Sequence, residues 1–180
     1  MPLATHGELP YSVEDAKVYP YSAGIPGTAK DVPGIRRVEM DAQIEEAEHR
    51  GDNRILAVAA SISSFDLTIE VGQLNLDAMA AMSGGFVETT GTTPAQIRTL
   101  TRKSTDVVAD FQLKAKTTSK TIDGGATWLT FPRCQWVGGP SYAMEDNEFA
   151  VAEITARAVP DATNTLYILS QYENVTTPIV

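Results

Sequence analysis

Residues 65–71 read FDLTIEV, apolar at every odd position and polar at every even one. A strand turns successive side chains to opposite faces, so this stretch fits a strand with one buried and one wet side; a helix of 3.6 residues per turn would scatter the same residues around its axis. The chain is thereby committed to sheets laid over a core. DFQLKAK at 110–116 repeats the alternation, EFAVAEITARAV at 148–159 follows it more loosely, and TWLTFPRCQW and NTLYILSQY have strand composition. About eight strands are expected. Their separators are turn chemistry: RGDNR at 50–54 closes a hairpin between an acidic strand and RILAVAASI, and Asp123-Gly124-Gly125 stands where positive φ costs little. Antiparallel neighbours follow.

One helix interrupts the strands, in LNLDAMAAMSGG. Asn75 can cap its first turn, Asp77 suits the dipole there, and Gly84 supplies a left-handed stop. Leu76, Met79 and Ala80 are expected to form its sheet-facing side. Residues 1–33 have a different character. Half of the ten prolines fall there and no helical period is sustained, which reads as an extended N-terminal arm with only DAKVYPY resembling a short strand. An arm without a core must lie against another surface, because ordering each residue costs about 1–2 kcal/mol of backbone entropy. A β-sandwich domain is expected over 34–172, and a C-terminal tail over 173–180.

The 180 residues, 43% hydrophobic, suffice for one core. No apolar run reaches the length of a membrane helix, and the first residues lack a signal-peptide pattern, so a soluble protein with no membrane partner is expected. A net charge of −9 disfavours tight binding to a phosphate backbone. Catalytic and metal chemistry find few residues to work with. His6 and His49 are the two histidines, no G-x-S-x-G elbow or phosphate loop is present, and the single cysteine, Cys134, sits among strand formers as a buried inert thiol. Glu145, Asp146, Asn147 and Glu148 offer oxygen ligands without the spacing of a calcium loop. The expectation is a protein that is not an enzyme and holds no metal and no cofactor.

The densest charge lies at Glu39, Asp41, Glu45, Glu46, Glu48 and Asp52. Two unit charges 4 Å apart in water repel by only about 1 kcal/mol, so a solvated strand tolerates this crowding. A carboxylate pair for glycoside hydrolysis would want an aromatic-lined cleft, which this stretch does not offer.

The order of segments carries more. A proline-rich arm is followed by an acidic strand, a G-D-N-R turn, a strand ending in E-V-G at 70–72, and a short L-x-x-M-A-A-M-S-G-G helix. This set, spanning roughly 15–90, resembles the major tail protein, or tail tube protein, of long-tailed bacteriophages, and the rest of the chain matches by its β character. The resemblance implies an antiparallel β-sandwich with a flanking helix. Six copies would form a ring whose inner sheets join into one barrel, and rings would stack into a non-contractile tail tube that conducts DNA. It implies a virion protein assembled in the host cytoplasm. Its partners would be copies of itself and other tail proteins such as the tape measure, terminator and distal tail, with double-stranded DNA passing through unbound. Under this reading Glu46, Glu48, Asp66 and Glu70 face the lumen, taking Ala47 as core-facing. Gly51, Asp52, Asn53 and Arg54 contact the next ring together with the arm. A tail terminator, a capsid decoration protein or an acidic β-rich hydrolase are the alternatives.

Overall fold

The computed structural model describes residues 10–22, 24–51, 54–119, 125–138, 141–142, 146 and 150–172, with the side chains of 10, 11, 22, 47–51, 54–58 and 119 outside the description. In chain order the elements are β1 (Pro10–Ser22), β2 (Ile25–Pro26), β3 (Lys30–Asp31), β4 (Ile35–Gly51), β5 (Arg54–Val71), α1 (Leu76–Ser83), β6 (Phe86–Thr90), β7 (Ile97–Thr101), β8 (Phe111–Ser119), β9 (Ala126–Trp136), β10 (Ser141–Tyr142), β11 (Ala152–Ala158) and β12 (Ile168–Tyr172). The alternation in 65–71 does what it promised: Phe65, Leu67, Ile69 and Val71 are buried, while Asp66, Thr68 and Glu70 are partly exposed.

The protein is mainly β, with antiparallel strands and one helix among the described residues, arranged as a sandwich. The principal sheet runs β2-β1-β8-β9-β11-β5-β4, with β3 on β1, β10 on β11 and β12 on β9. β9 serves both halves: Ala126–Thr130 pair with β12 and Cys134–Trp136 pair with β11. One hydrophobic cluster fills the interior, to which Ala16, Val18, Phe111, Leu113 and Phe131 contribute from one half and Leu67, Ile69, Ile154 and Ala156 from the other. Each large apolar side chain fully buried there contributes about 1.5–3 kcal/mol. Cys134 lies within it.

Two expectations need correction, and one sheet had no expectation attached to it. The segment set apart as an arm at 1–33 is extended, but Pro10–Ser22 is a strand of the sandwich. It pairs along its length with β8, and Ala16 and Val18 are completely buried. Its prolines do not prevent this, because Pro10 and Pro20 fall at the two ends of the β1–β8 ladder. Residues 1–9 lie outside the described residues, as does the tail at 173–180.

The helix has the expected caps. Asn75 Oδ1 accepts from the Asp77 amide at 3.0 Å, and Gly84 takes φ +76° while its N–H donates to the Ala80 carbonyl. Its buried side is not the one expected, however: Ala78, Ala81 and Met82 face inward, and Leu76, Met79 and Ala80 are half-buried. Small residues on that side let the helix backbone approach the sandwich. The third difference is β6 and β7, a separate two-stranded sheet over 86–101 whose threonine-rich segments show little alternation of polarity. It is tied to the helix by Arg98, one nitrogen of which donates to both carboxylate oxygens of Asp77 at 2.8 Å.

Candidate functional site: the acidic face and open edge of the long hairpin

β4 and β5 form a hairpin of 17 and 18 residues, and β4 ends the sheet order, pairing among the described residues with β5 alone. At about 3.4 Å per residue, β4 presents an edge of more than 50 Å. An edge of that length with unpaired backbone groups is a template for another strand.

The side of this sheet turned away from the core is built from alternate residues of three strands. Arg37 pairs with Glu70, Glu39 with Thr68, Asp41 with Asp66, and Gln43 with Ser64. Across β5, Glu70 faces Glu153, Thr68 faces Thr155, and Asp66 faces Arg157. Five carboxylates thus share a surface with two guanidiniums, and like charges stand directly opposite each other at Asp41–Asp66 and Glu70–Glu153, an arrangement that lowers strand-pair stability. The guanidiniums relieve part of it. Arg157 Nε donates to Asp66 Oδ1 at 2.7 Å, and Gln43 Nε2 donates to Asp66 Oδ2 at 2.8 Å. Arg37 reaches Glu39 at 2.6 Å and Glu70 at 3.3 Å. The hydrogen bonds from Arg157 to the Asp66 carboxylate hold its guanidinium above its already high range. Asp41 and Glu153 have no ion-pair partner among the described residues, so the net character of the face is negative.

Of the four residues expected to share the lumen, Asp66 and Glu70 lie together on this face. Glu46 does not. The register shift between Gln43 and Ile44 comes from an extra residue in β5, Ser63, and β4 continues its alternation unbroken. Glu46 therefore falls on the same side of β4 as Val38, Met40 and Ala42, and Glu45 falls with Asp41. The expectation that Ala47 faces the core inverted this parity. Glu48 pairs with Val58 in the backbone, and its side chain is outside the description. For the expected inter-ring group, Gly51 pairs with Arg54 as the last pair of the β4–β5 ladder, while Asp52 and Asn53 lie outside the described residues.

Arg37, Glu153 and Arg157 are the participants that sequence reasoning missed. Glu153, Thr155 and Arg157 alternate with buried Ala152, Ile154, Ala156 and Ala158, a period of two as regular as that of 65–71. The small size of the alanines conceals it.

A cleft of about 360 Å³ is lined by Tyr21, Gly24, Asp110, Arg133, Asp161 and Ala162. Its Asp110 already accepts from Arg133 Nε at 2.6 Å and Gln135 Nε2 at 2.9 Å, and the Tyr21 hydroxyl donates to the Pro132 carbonyl. These contacts hold the Asp110 carboxylate and the Tyr21 hydroxyl in place at the cleft. Among the described residues no cluster of three or more His, Cys, Asp or Glu side chains could hold a metal, and no helix is long and apolar enough to cross a membrane. No protein-family model matches this chain, and no curated protein matches it.

Proposed function

We propose that this chain is a structural subunit that assembles with copies of itself into stacked hexameric rings, forming a phage tail tube with a negatively charged bore for DNA. The observation that carries the reading is the pairing of two features on one sheet: a 17-residue edge strand with no second strand partner among the described residues, and beside it a face dominated by carboxylates. Joining that edge to a neighbour's sheet would complete its backbone hydrogen bonds and set the acidic faces of successive copies side by side around a ring. The segment order noted above points the same way.

The chemistry suits a conduit. Duplex DNA carries one negative charge per about 1.7 Å, and a wall rich in Lys and Arg would hold it by counterion release. A face carrying Asp41, Asp66, Glu70 and Glu153 repels the polymer and keeps it hydrated. In this reading Asp66 and Glu70 face the lumen, Glu46 lies on the opposite side of β4, and the hairpin end at Gly51–Arg54 contacts the next ring. The partners are other copies and the remaining tail proteins, and the site of action is the virion after assembly in the host cytoplasm.

Negative-stain microscopy of the purified chain tests the proposal. Long hollow filaments are the expected outcome. Discrete closed rings would transfer the chain to the terminator or decoration class, and a monomer at every concentration would end the proposal.

A further inference from the structure

The cleft beside Arg133 brings together segments far apart in the chain. Tyr21 comes from the end of β1, Gly24 from the turn after it, Asp110 from just before β8, Arg133 from β9, and Asp161 from between β11 and β12. Backbone bonds fix these segments to one another: the Tyr21 amide donates to the Asp110 carbonyl at 2.9 Å, and the Val159 amide to the Arg133 carbonyl at 3.0 Å. A volume of about 360 Å³ lies at the small end of the range for ligand pockets. Gly24 keeps one wall open, since a Cβ there would meet nothing within 4 Å.

The polar groups of the cleft are held in place and yet incompletely used. Asp161 Oδ1 accepts from the Thr163 amide, the Thr163 hydroxyl and the Thr165 amide, each at 2.8 Å, while Oδ2 has no hydrogen-bond partner among the described residues. These bonds, the one from the Thr165 amide foremost, hold the carboxyl below its usual range and keep it ionised at neutral pH. Arg133 gives its Nε to Asp110, and among the described residues its two terminal nitrogens have no partner. Both charges border the Tyr21 hydroxyl, which burial and then Asp161 push up while Arg133 opposes them. The proton of that hydroxyl goes to the Pro132 carbonyl at 2.7 Å, so its oxygen can still accept. One cleft thus presents open acceptors at Asp161 and Tyr21 and open donors at Arg133.

We propose that this cleft binds a small zwitterion, a free α-amino acid, whose carboxylate sits on the terminal nitrogens of Arg133 and whose ammonium sits on Asp161 Oδ2 and the Tyr21 oxygen. Two carboxylates and one guanidinium line the cleft. A simple anion would face both carboxylates, and a simple cation would stand beside the guanidinium and leave its donors empty. A zwitterion meets an opposite charge at each end, through the charge-assisted bonds that are strongest. Because the lining is already ordered by its own hydrogen bonds, binding has little protein left to order. The inference does not depend on assembly of the chain.

Saturation-transfer NMR on the full chain tests this, because it observes the ligand and serves equally for a monomer or a tube. L-Alanine should bind saturably with a Kd of about 1 mM or below. Propionate and ethylammonium, which each carry one of its two charges, should bind at least about ten-fold more weakly. Asp161→Asn keeps an oxygen for the Thr163 and Thr165 amides and removes the charge, so it should weaken L-alanine by a similar factor with the melting temperature little changed. Arg157→Gln breaks the comparable pair with Asp66 on the acidic face and should leave binding as it is. No saturable binding to the parent, propionate or ethylammonium binding as tightly as L-alanine, parent-like binding by Asp161→Asn, or loss of binding in Arg157→Gln would each overturn the site. None of these outcomes bears on the tail-tube reading, which microscopy decides separately.

Discussion

Gly84 shows how much one atom can matter. Its φ of +76° is the left-handed region, and a Cβ built there would lie 2.4 Å from the Val107 carbonyl oxygen. Both costs fall on backbone, which cannot step aside as a flexible side chain would. Gly84→Ala is expected to destabilise by about 2 kcal/mol or more, measured by urea denaturation. At the other end of the helix, Asp77 carries a pH signature. Its hydrogen bonds from Arg98 hold the carboxyl below the usual range. A carboxyl whose folded pKa is depressed contributes stability that is complete above the unfolded pKa and is lost as pH falls through the folded one. Acid should therefore weaken the parent more steeply than Asp77→Asn below about pH 4, as thermal melts across pH would record. Cys134 makes the opposite kind of statement: burial pushes its thiol far up. Since the thiolate is the nucleophile, a thiol reagent should label this position only after denaturation.

At the scale of elements, capping is the most local determinant and the most readable. Asn75 accepts from the Asp77 amide and donates through Nδ2 to the Asp31 carbonyl at 2.8 Å, linking α1 to β3. Asn75→Ala should cost about 1 kcal/mol from the cap, a loss that circular dichroism melts can resolve. The caps, the FDLTIEV strand, the closing pair Gly51–Arg54 and the burial of Cys134 could all be read from the sequence, because each depends on a few adjacent residues. What could not be read depended on partners distant in the chain. The placement of Glu46 turned on which parity of β4 pairs with the buried residues of β5, the inward side of α1 on which neighbours it met, and the role of β1 on β8 nearly a hundred residues away. Arg37 and Arg157 became part of the acidic face only once β5 was seen to lie between β4 and β11. Pairing register, the quantity that joins such residues, is not written in any one segment.

For the whole molecule, the proposed assembly poses the question of how a sheet whose edge strand β4 has no second partner among the described residues would avoid unspecific strand addition and yet join other copies. Charge on the hairpin answers the first half: carboxylates beside an edge discourage unspecific strand addition, because each approach of another acidic strand costs repulsion. Specific addition then needs a partner surface of opposite sign, and association would convert the open edge from a liability into a source of stability. The N-terminal third belongs inside this account, since β1 supplies core residues to the sandwich and is not an appendage. Deleting residues 1–22 should consequently abolish cooperative unfolding of the monomer, an outcome that separates loss of fold from loss of assembly. For the intact chain, the proposed assembly would make stability depend on mass action: species that bind only the folded form raise its apparent stability with their concentration. The melting temperature should climb over a hundred-fold increase in protein concentration and fall back when salt screens the opposed charges beyond about 8 Å. A melting temperature that stays flat across that range in low salt would mean that the open edge gains nothing from other copies, and the proposed tube would lose its driving force.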